Sequence, residues 1–419
     1  GACPLNILFV SDVSISRVIG GAERVLFEQS TRLARRGHNV HVLTRRLSDH
    51  GAFKESIQGV HEWRYDVDQR GAFFFFRSSI VNSRTIYESM RKDISFDILN
   101  GHQPFTSLGV LTSPISRNFR FLYTCHSLSF EEYRSRHPRS RDLIGRMRQG
   151  LHIRGRKFVE RKVLRESDRV IVLSSYTRDK LLNQCGILPG KIDVIPGGVD
   201  LERFHPSGDR RDIRRRLGIP ENRAVILTVR NLVPRMGLEN LITAMKDVVK
   251  ALPDVLLIIG GSGPLREKLL RLACELQLSD SIRFTGFIRD EELPDYYRAA
   301  DIFVLPTIEL EGFGLVTLEA LACGTPVLGT PVGGTLEILQ RLDAHYLFDG
   351  TGPEAMARRI IEVIRQYTEN PDLQNAVSLT CRTFVKQNYS WERNIDQLEN
   401  LFCRFSAGSE NEKSLFSDV

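Results

Sequence analysis

The chain has 419 residues, of which 42% are hydrophobic and 26% are charged, with a net charge of +7. These values are typical of a globular protein of two or three domains, and no run approaches the ~18 uninterrupted apolar residues of a membrane span. The first residues, GACPLNILFVSD, lack the basic segment of a signal peptide and predict a strand instead. Seven scattered cysteines without a Cys-x-x-Cys pair argue against structural zinc and a disulfide framework. Together these features predict a cytoplasmic protein.

The positive charge is concentrated in residues 134–169, which hold thirteen Lys or Arg residues against four acidic ones. Such a stretch can form a solvated helix, or it can bind an anionic membrane surface or a phosphorylated substrate. Nucleic acid is the least favoured partner, because Phe158 is the only Phe, Tyr or Trp in the stretch and no DNA- or RNA-binding motif accompanies it. The sequence therefore predicts no nucleic-acid partner and leaves a peripheral membrane location open.

Short apolar runs alternate with helical patterns along the chain. Residues 5–12 predict a strand, residues 20–37 a helix that ends at Gly37, and residues 38–46 the next strand. The alternation restarts after residues 191–211. This pattern predicts two α/β domains with doubly wound parallel sheets.

The same pattern predicts domain boundaries and a hinge near residues 200–210. The predicted ranges are 1–200 for the first domain, 201–387 for the second, 388–405 for a C-terminal helix and 406–419 for a disordered polar tail. The tetrad FFFF at 73–76 is predicted to belong to the core rather than to contact lipid.

The run EGFGLVTLEALACGTPVLGTPVGG, residues 311–334, holds two glutamates around a predicted helix start. That helix is expected to begin near Gly314 or Leu315, after the strand ADIFVLPT, and to end at Gly324. Its free N–H groups, from about Phe313 onwards, predict an anion site suited to phosphate. Glu319 lies about one turn further among Leu and Ala residues, where an unpaired carboxylate is costly. Either the hydroxyls of a ribose or a basic residue elsewhere in the chain must therefore reach it.

The same run resembles the signature of the retaining glycosyltransferases of family four, in which two glutamates are separated by seven residues as Glu311 and Glu319 are. Five further segments resemble that family in the expected order, at 20–44, 194–206, 231–237, 258–264 and 284–287. The resemblance implies the GT-B fold, in which two Rossmann-like domains face each other across a cleft. It also implies a donor site on the second domain, an acceptor side on the first, and a C-terminal helix that crosses back to the first domain.

The resemblance further implies roles for individual residues. His126 and Glu311 would act at the transferred sugar, and His102 is predicted on the acceptor side. A larger set would bind the donor through backbone or side chains: Gly20, Gly21, Arg230, Asn231, Arg235, Gly286, Phe287, Phe313, Gly314, Leu315 and Glu319. Each has a plainer interpretation, since the glycine pair fits an ordinary turn and His126 fits a structural histidine.

The start of the second domain departs from the family pattern, Gly-Arg-Leu, three residues, then Lys-Gly. Here the segment is VRNLVPRMG, so Asn231 stands where the arginine is expected and Met236 where the lysine is expected. Arg230 would point to the opposite face if the strand continued through it, whereas Arg235 lies in a loop. We therefore predict that Arg235 clamps the diphosphate and that Asn231 gives a neutral hydrogen bond at most.

These features predict a retaining hexosyltransferase that moves a sugar from a UDP-sugar or GDP-mannose to an acceptor hydroxyl, with no metal and no other cofactor. The acceptor class stays open between a lipid-linked compound, a glycan and a small molecule. Three alternatives remain: a metal-dependent GT-A transferase, prompted by Asp66 and Asp68; a sugar-nucleotide epimerase; and a non-catalytic sugar-nucleotide sensor, which the altered clamp favours.

Overall fold

The computed structural model describes residues 4–18, 20–48, 51–115, 119–137 and 142–406. The predicted tail lies outside the described residues except for Ser406, and so do residues 138–141 of the basic stretch. The described chain divides into two compact units. The first takes residues 4–134, 142–196 and 391–406, and the second takes 197–390 with a short segment after residue 134. The division falls after residue 196, a few residues before the predicted hinge.

The first unit is built on an eight-stranded sheet in the order β3-β4-β2-β1-β5-β6-β7-β8. All neighbouring strands are parallel except β3 and β4, which form an antiparallel edge. The strands are β1 (Asn6–Val10), β2 (Asn39–Arg45), β3 (Lys54–Ile57), β4 (Val60–Tyr65), β5 (Ile98–Gly101), β6 (Arg120–Cys125), β7 (Arg169–Val172) and β8 (Ile192–Val194).

The second unit is built on a five-stranded, fully parallel sheet in the order β11-β10-β9-β12-β13. Its strands are β9 (Ala224–Val229), β10 (Val255–Gly260), β11 (Ile282–Gly286), β12 (Ile302–Leu305) and β13 (Val327–Gly329). Every residue of β10 and β12 is buried, as expected for strands covered on both faces by helices.

The helices of the first unit are α1 (Gly21–Arg35), α2 (Ala72–Met90), α3 (Pro104–Leu111), α4 (Ser129–Arg136), α5 (Leu143–Glu166), α6 (Ser175–Lys180) and α15 (Trp391–Ser406), of which α4 ends in the short segment grouped with the second unit. Those of the second unit are α7 (Arg210–Arg216), α8 (Leu238–Ala251), α9 (Arg266–Glu275), α10 (Leu293–Ala299), α11 (Leu315–Ala322), α12 (Gly333–Leu342), α13 (Pro353–Glu369) and α14 (Pro371–Asn388). None of the described helices is long and apolar enough to span a bilayer.

The last helix, α15, completes the core of the first unit. Its apolar face places Ile395, Leu398 and Phe402 in one buried cluster with the β1 residues Ile7 and Phe9. Ion pairs from the end of α1 and from the residue after it flank this contact, including one of 2.7 Å between Arg36 and Asp396. The chain therefore returns to its first unit after the second is complete.

The tetrad at 73–76 differs from its prediction. Phe73 is 72% exposed and Phe74 is 44% exposed, while Phe75 and Phe76 are half-buried. The prediction failed because α2 begins at Ala72, so a helical turn distributes the four rings around its axis. Only part of the tetrad can then face the core.

Candidate functional site

The loop between β12 and α11 carries the first predicted glutamate and ends at a helix N-terminus. Gly314 precedes the helix with φ of 90°, a left-handed conformation that favours glycine. Gly334, at the start of α12, packs directly on this loop: its N–H donates to the carbonyl of Glu311 at 3.0 Å, and a Cβ there would lie 2.4 Å from the Cα of Phe313. The glycines of the sequence signature thus hold the loop in one conformation.

The side chain of Glu311 is buried and paired. Its carboxylate forms an ion pair with the guanidinium of Arg230 and accepts a hydrogen bond from the hydroxyl of Thr307 at 3.1 Å. The guanidinium also lies against Thr307 at 3.1 Å. Because a buried acidic group needs a polar or charged partner, Arg230 holds the side chain of Glu311 in place in the loop between β12 and α11.

The second glutamate of the signature, Glu319, is buried in α11 and accepts a hydrogen bond of 2.9 Å from the hydroxyl of Tyr297. Burial, followed by the charge of Glu319, raises the pKa of Tyr297 well above its usual value, so the phenol keeps its proton and stays a donor. Sequence analysis missed Tyr297, because it lies on α10, outside every motif noted in the sequence. Only the packing of α10 on α11 brings its hydroxyl to the glutamate.

The two arginines before α8 both lie outside strand β9. β9 ends at Val229, so the alternation of a strand does not constrain Arg230, and its side chain turns inward to Glu311. The opposite-face orientation expected for a continuing strand therefore does not apply to Arg230. Arg235 donates to the carbonyl of Leu310 at 2.8 Å, so both arginines contact the loop that carries Glu311. Asn231 is exposed, and a clamp on the diphosphate by Arg235 stays a prediction.

Leu315 is the first residue of α11, and two further predicted donor-side residues, Gly286 and Phe287, lie at the end of β11. Gly286 has φ of 74°, and its neighbour Phe287 is 61% exposed. Ligands of open α/β sheets bind beyond the carboxyl ends of the strands, which is where β9, β11 and β12 place Arg230, Gly286 and Glu311.

In the first unit, Gly20 and Gly21 lie at the start of α1. Gly20 precedes the helix in an extended conformation with φ of −119°, and a Cβ there would meet only the flexible carboxylate of Glu23. The free backbone N–H groups at the N-terminus of α1 favour the binding of an anion.

The two predicted histidines of the first unit are in contact. His126 Nε2 lies 3.0 Å from His102 Nδ1, and His102 Nε2 lies 2.8 Å from Asn100 Oδ1. Since the amide oxygen only accepts, His102 donates from Nε2, and His126 donates from Nε2 to the Nδ1 of His102. Burial lowers the pKa of His126 to about 4 and that of His102 well below its usual value, so both rings are neutral near pH 7. The Nδ1 of His126 is then an acceptor.

Asp66 and Asp68, which prompted the metal-dependent alternative, each pair with an arginine. Arg46 binds Asp66 at 2.6 Å and Arg70 binds Asp68 at 2.6 Å. The hydrogen bonds from Arg70 lower the pKa of Asp68 to about 2. Together with the two Rossmann-like units, these pairs leave no support for the GT-A interpretation.

Comparison with known families agrees with this geometry. The profile of the family described as "Glycosyltransferase Family 4" matches residues 19–203, and that of "Glycosyl transferases group 1" matches residues 209–378. The two matches correspond closely to the two compact units.

Two curated relatives and one solved structure illustrate the similarity. A GDP-mannose-dependent alpha-(1-6)-phosphatidylinositol monomannoside mannosyltransferase of Mycolicibacterium smegmatis is 32% identical over 58% of this chain and 63% of its own length. A D-inositol 3-phosphate glycosyltransferase of Kineococcus radiotolerans is 29% identical over 89% of this chain and 87% of its own length. A sucrose-phosphate synthase of Thermosynechococcus elongatus superposes with a TM-score of 0.81 at 24% identity, covering 96% of this chain and 99% of that one.

The chain has the GT-B fold, as its superposition on the sucrose-phosphate synthase structure shows. The chain consists of a family-four glycosyltransferase domain followed by a group 1 glycosyl transferase domain. It spans just under two thirds of the length of the mannosyltransferases that it matches.

Proposed function

We propose that the protein is a retaining glycosyltransferase that moves a sugar from a nucleoside diphosphate sugar to an acceptor hydroxyl. The observation that carries the proposal is the arrangement of Glu311 and Glu319 on either side of the N-terminus of α11. A helix N-terminus stabilises a diphosphate, and the two carboxylates are suited to accept hydrogen bonds from sugar and ribose hydroxyls.

In this proposal the charge that develops on the leaving diphosphate is stabilised by α11 and the nearby arginines. Preorganised donors of this kind supply much of the rate enhancement in group transfer. Glu319 accepts from the ribose in addition to Tyr297, and Glu311 accepts from the sugar. The neutral His126 presents Nδ1 as an acceptor for a hydroxyl of the transferred sugar.

Retention follows from the family resemblance. The acceptor hydroxyl attacks the anomeric carbon from the face that the diphosphate leaves, and the departing phosphate oxygen takes the hydroxyl proton. The sugar–phosphate bond breaks as the new glycosidic bond forms, so no side-chain nucleophile and no metal are required.

The test is a binding and turnover screen with GDP-mannose, UDP-glucose and ADP-glucose. A donor that binds the native state raises the unfolding temperature. Transfer should then need an acceptor, and the product should keep the anomeric configuration of the donor. Activity should survive excess EDTA. If none of the nucleotide sugars raises the unfolding temperature, the proposal fails.

A second candidate is a non-catalytic sugar-nucleotide sensor. It is favoured by Asn231 and Met236, which stand where the family carries two cations, and by the pairing of Arg230 with Glu311. Donor binding without turnover across a panel of acceptors would support the sensor. An epimerase would instead convert the donor with no acceptor present.

We also propose that the enzyme works at an anionic membrane surface, through the outer face of α5. Leu143, Ile144, Met147, Leu151 and Phe158 are each at least 68% exposed. Their spacing places all five within about 100° of the helix circumference. An exposed apolar stripe of this size on a helix favours contact with lipid or another apolar surface.

The C-terminal half of the same face is cationic. A groove of about 490 Å³ is lined there by Phe158, by Glu166 and by five basic side chains, Arg154, Lys157, Arg161, Lys162 and Arg165. Apolar side chains beside clustered cations match a bilayer that carries anionic lipids, and this charge pattern favours a membrane over a neutral protein partner. Phe73 and Phe74 of α2 are exposed as well, and Phe76 of that helix contacts His152 of α5.

A further inference from the structure

Four arginines in the described part of the first unit carry buried donors without acceptors, and two of them, Arg45 and Arg156, lie against one cluster of aromatic rings. The Nε of each guanidinium is buried and makes no hydrogen bond within the described part of the chain. Buried polar groups are nearly always satisfied, because an unmade hydrogen bond costs free energy. Arginines nearby show the usual arrangement, since Arg46 pairs with Asp66 and Arg64 with Glu62.

Aromatic rings hold both guanidinium groups in place. Arg45 lies 5.4 Å from the ring centre of Phe75. Arg156 lies 4.9 Å from that of Phe76, 5.4 Å from that of Phe105 and 4.8 Å from that of Tyr133. The rings of Phe75 and Phe76 are themselves 5.7 Å apart, which brings the two cations to one aromatic cluster. Aromatic faces orient an arginine while leaving its N–H groups available.

A carboxyl group and two hydroxyl groups, those of Asp12, Thr106 and Tyr65, form a hydrogen-bonded cluster near these arginines. Asp12, which follows β1, accepts from the backbone N–H of Thr106 at 3.2 Å and from its hydroxyl, and the hydroxyl of Tyr65 contacts that of Thr106. Burial raises the pKa of Asp12, and the charges of Arg45 and Arg156 oppose the rise, so both arginines lie within electrostatic reach of this carboxyl. Asp12, Arg45 and Tyr65 come from the carboxyl ends of β1, β2 and β4, where α/β sheets bind ligands.

We propose that Arg45 and Arg156 bind a phosphate group of the acceptor. A phosphate ester offers several acceptor oxygens and negative charge, and a guanidinium recognises it with paired hydrogen bonds. The proposal rests on the proposed function in that it names the acceptor class, but the site lies wholly within the first unit and is testable without a donor.

The phosphate can belong to a soluble monoester or to the diester of a lipid headgroup. Binding is measured by calorimetry with inorganic phosphate, inositol 3-phosphate, glycerophosphoinositol and inositol. Inositol 3-phosphate or glycerophosphoinositol should bind at least about tenfold more tightly than inositol, since charge-assisted hydrogen bonds dominate. A preference for the monoester points to a soluble acceptor, and a preference for the diester points to a lipid.

Arg45→Gln and Arg156→Gln should each weaken binding of the preferred phosphate compound about tenfold or more, while Arg156→Lys should restore part of it. Arg46→Gln is the matched control, because Arg46 is already paired, and it should bind as the wild type does. Nucleotide binding to each variant serves as the folding check. The proposed phosphate site is refuted if inositol binds as tightly as both phosphate compounds. It is also refuted if both Gln variants bind the phosphate compound as tightly as the wild type does. Failure of nucleotide binding alone overturns only the proposed function.

Discussion

The guanidinium of Arg230 and the carboxylate of Glu311 form an ion pair inside the second unit, and the side chains are only 6% and 10% exposed. The pair joins the end of β9 to the loop before α11. The ion pair therefore links the segment at 229–237, which departs from the family pattern, to the first glutamate of the signature, Glu311.

Arg230→Met should destabilise the protein by about 3–5 kcal/mol, because it leaves the buried Glu311 without its partner. Arg235→Met should cost only about 1 kcal/mol, the worth of one hydrogen bond to a carbonyl. Urea unfolding measures both. Adding Glu311→Met to Arg230→Met should recover part of the loss, and a double variant as unstable as the sum of the single ones would show that the residues are not coupled.

Glu319→Gln should lower donor affinity about tenfold while the protein stays folded, because an amide accepts weaker hydrogen bonds than a carboxylate. Tyr297→Phe is the matched variant: it removes one internal donor to Glu319 and should reduce stability by about 1 kcal/mol with little effect on affinity. Calorimetric titration with the donor distinguishes the two. Unchanged affinity in Glu319→Gln would assign the glutamate a structural role.

His126→Ala should reduce turnover more than donor binding, because the ring is proposed to lie beside the transferred sugar and not at the nucleotide. His102→Ala should have a smaller effect in the same direction, since His102 orients His126. Steady-state kinetics combined with donor titration separates kcat from affinity. Wild-type kinetics for His126→Ala would place the residue in the scaffold.

Acid should destabilise the protein through its buried histidines. The pKa of His126 is about 4 in the folded state, below the ~6.5 of an unfolded chain, so the unfolded state binds the proton first as the pH falls. Stability is thus full above pH ~6.5 and declines towards pH 4. Urea unfolding across this range should show that the free energy of unfolding falls less in His126→Gln than in the wild type. In His137→Gln, which alters an exposed ring, it should fall as much as in the wild type.

Vesicles containing anionic phosphatidylglycerol should sediment the protein at low salt and release much of it at about 0.5 M salt, where screening is strong. Neutral phosphatidylcholine vesicles should retain little. Leu151→Ser with Phe158→Ser should weaken binding, whereas Leu379→Ser, at an exposed leucine of the second unit, should not. Equal binding to both vesicle types would remove the electrostatic part of the proposal.

The sequence predicted the two α/β units and the helix at Leu315 because periodicity and glycine positions are local signals. It did not predict the partner of Glu311, because the end of β9 at Val229, one residue before Arg230, decides where that side chain points. Tyr297 escaped notice for a related reason: its contact with Glu319 arises from the packing of two helices, which no single segment encodes.

The return of α15 to the first unit bears on how the chain is made. During synthesis the apolar surface around Phe9 stays uncovered until residues 391–406 emerge, after the whole second unit. A fragment that ends at residue 196 would expose this apolar surface to solvent and is expected to aggregate. Supplying the missing helix as a separate peptide should rescue its solubility.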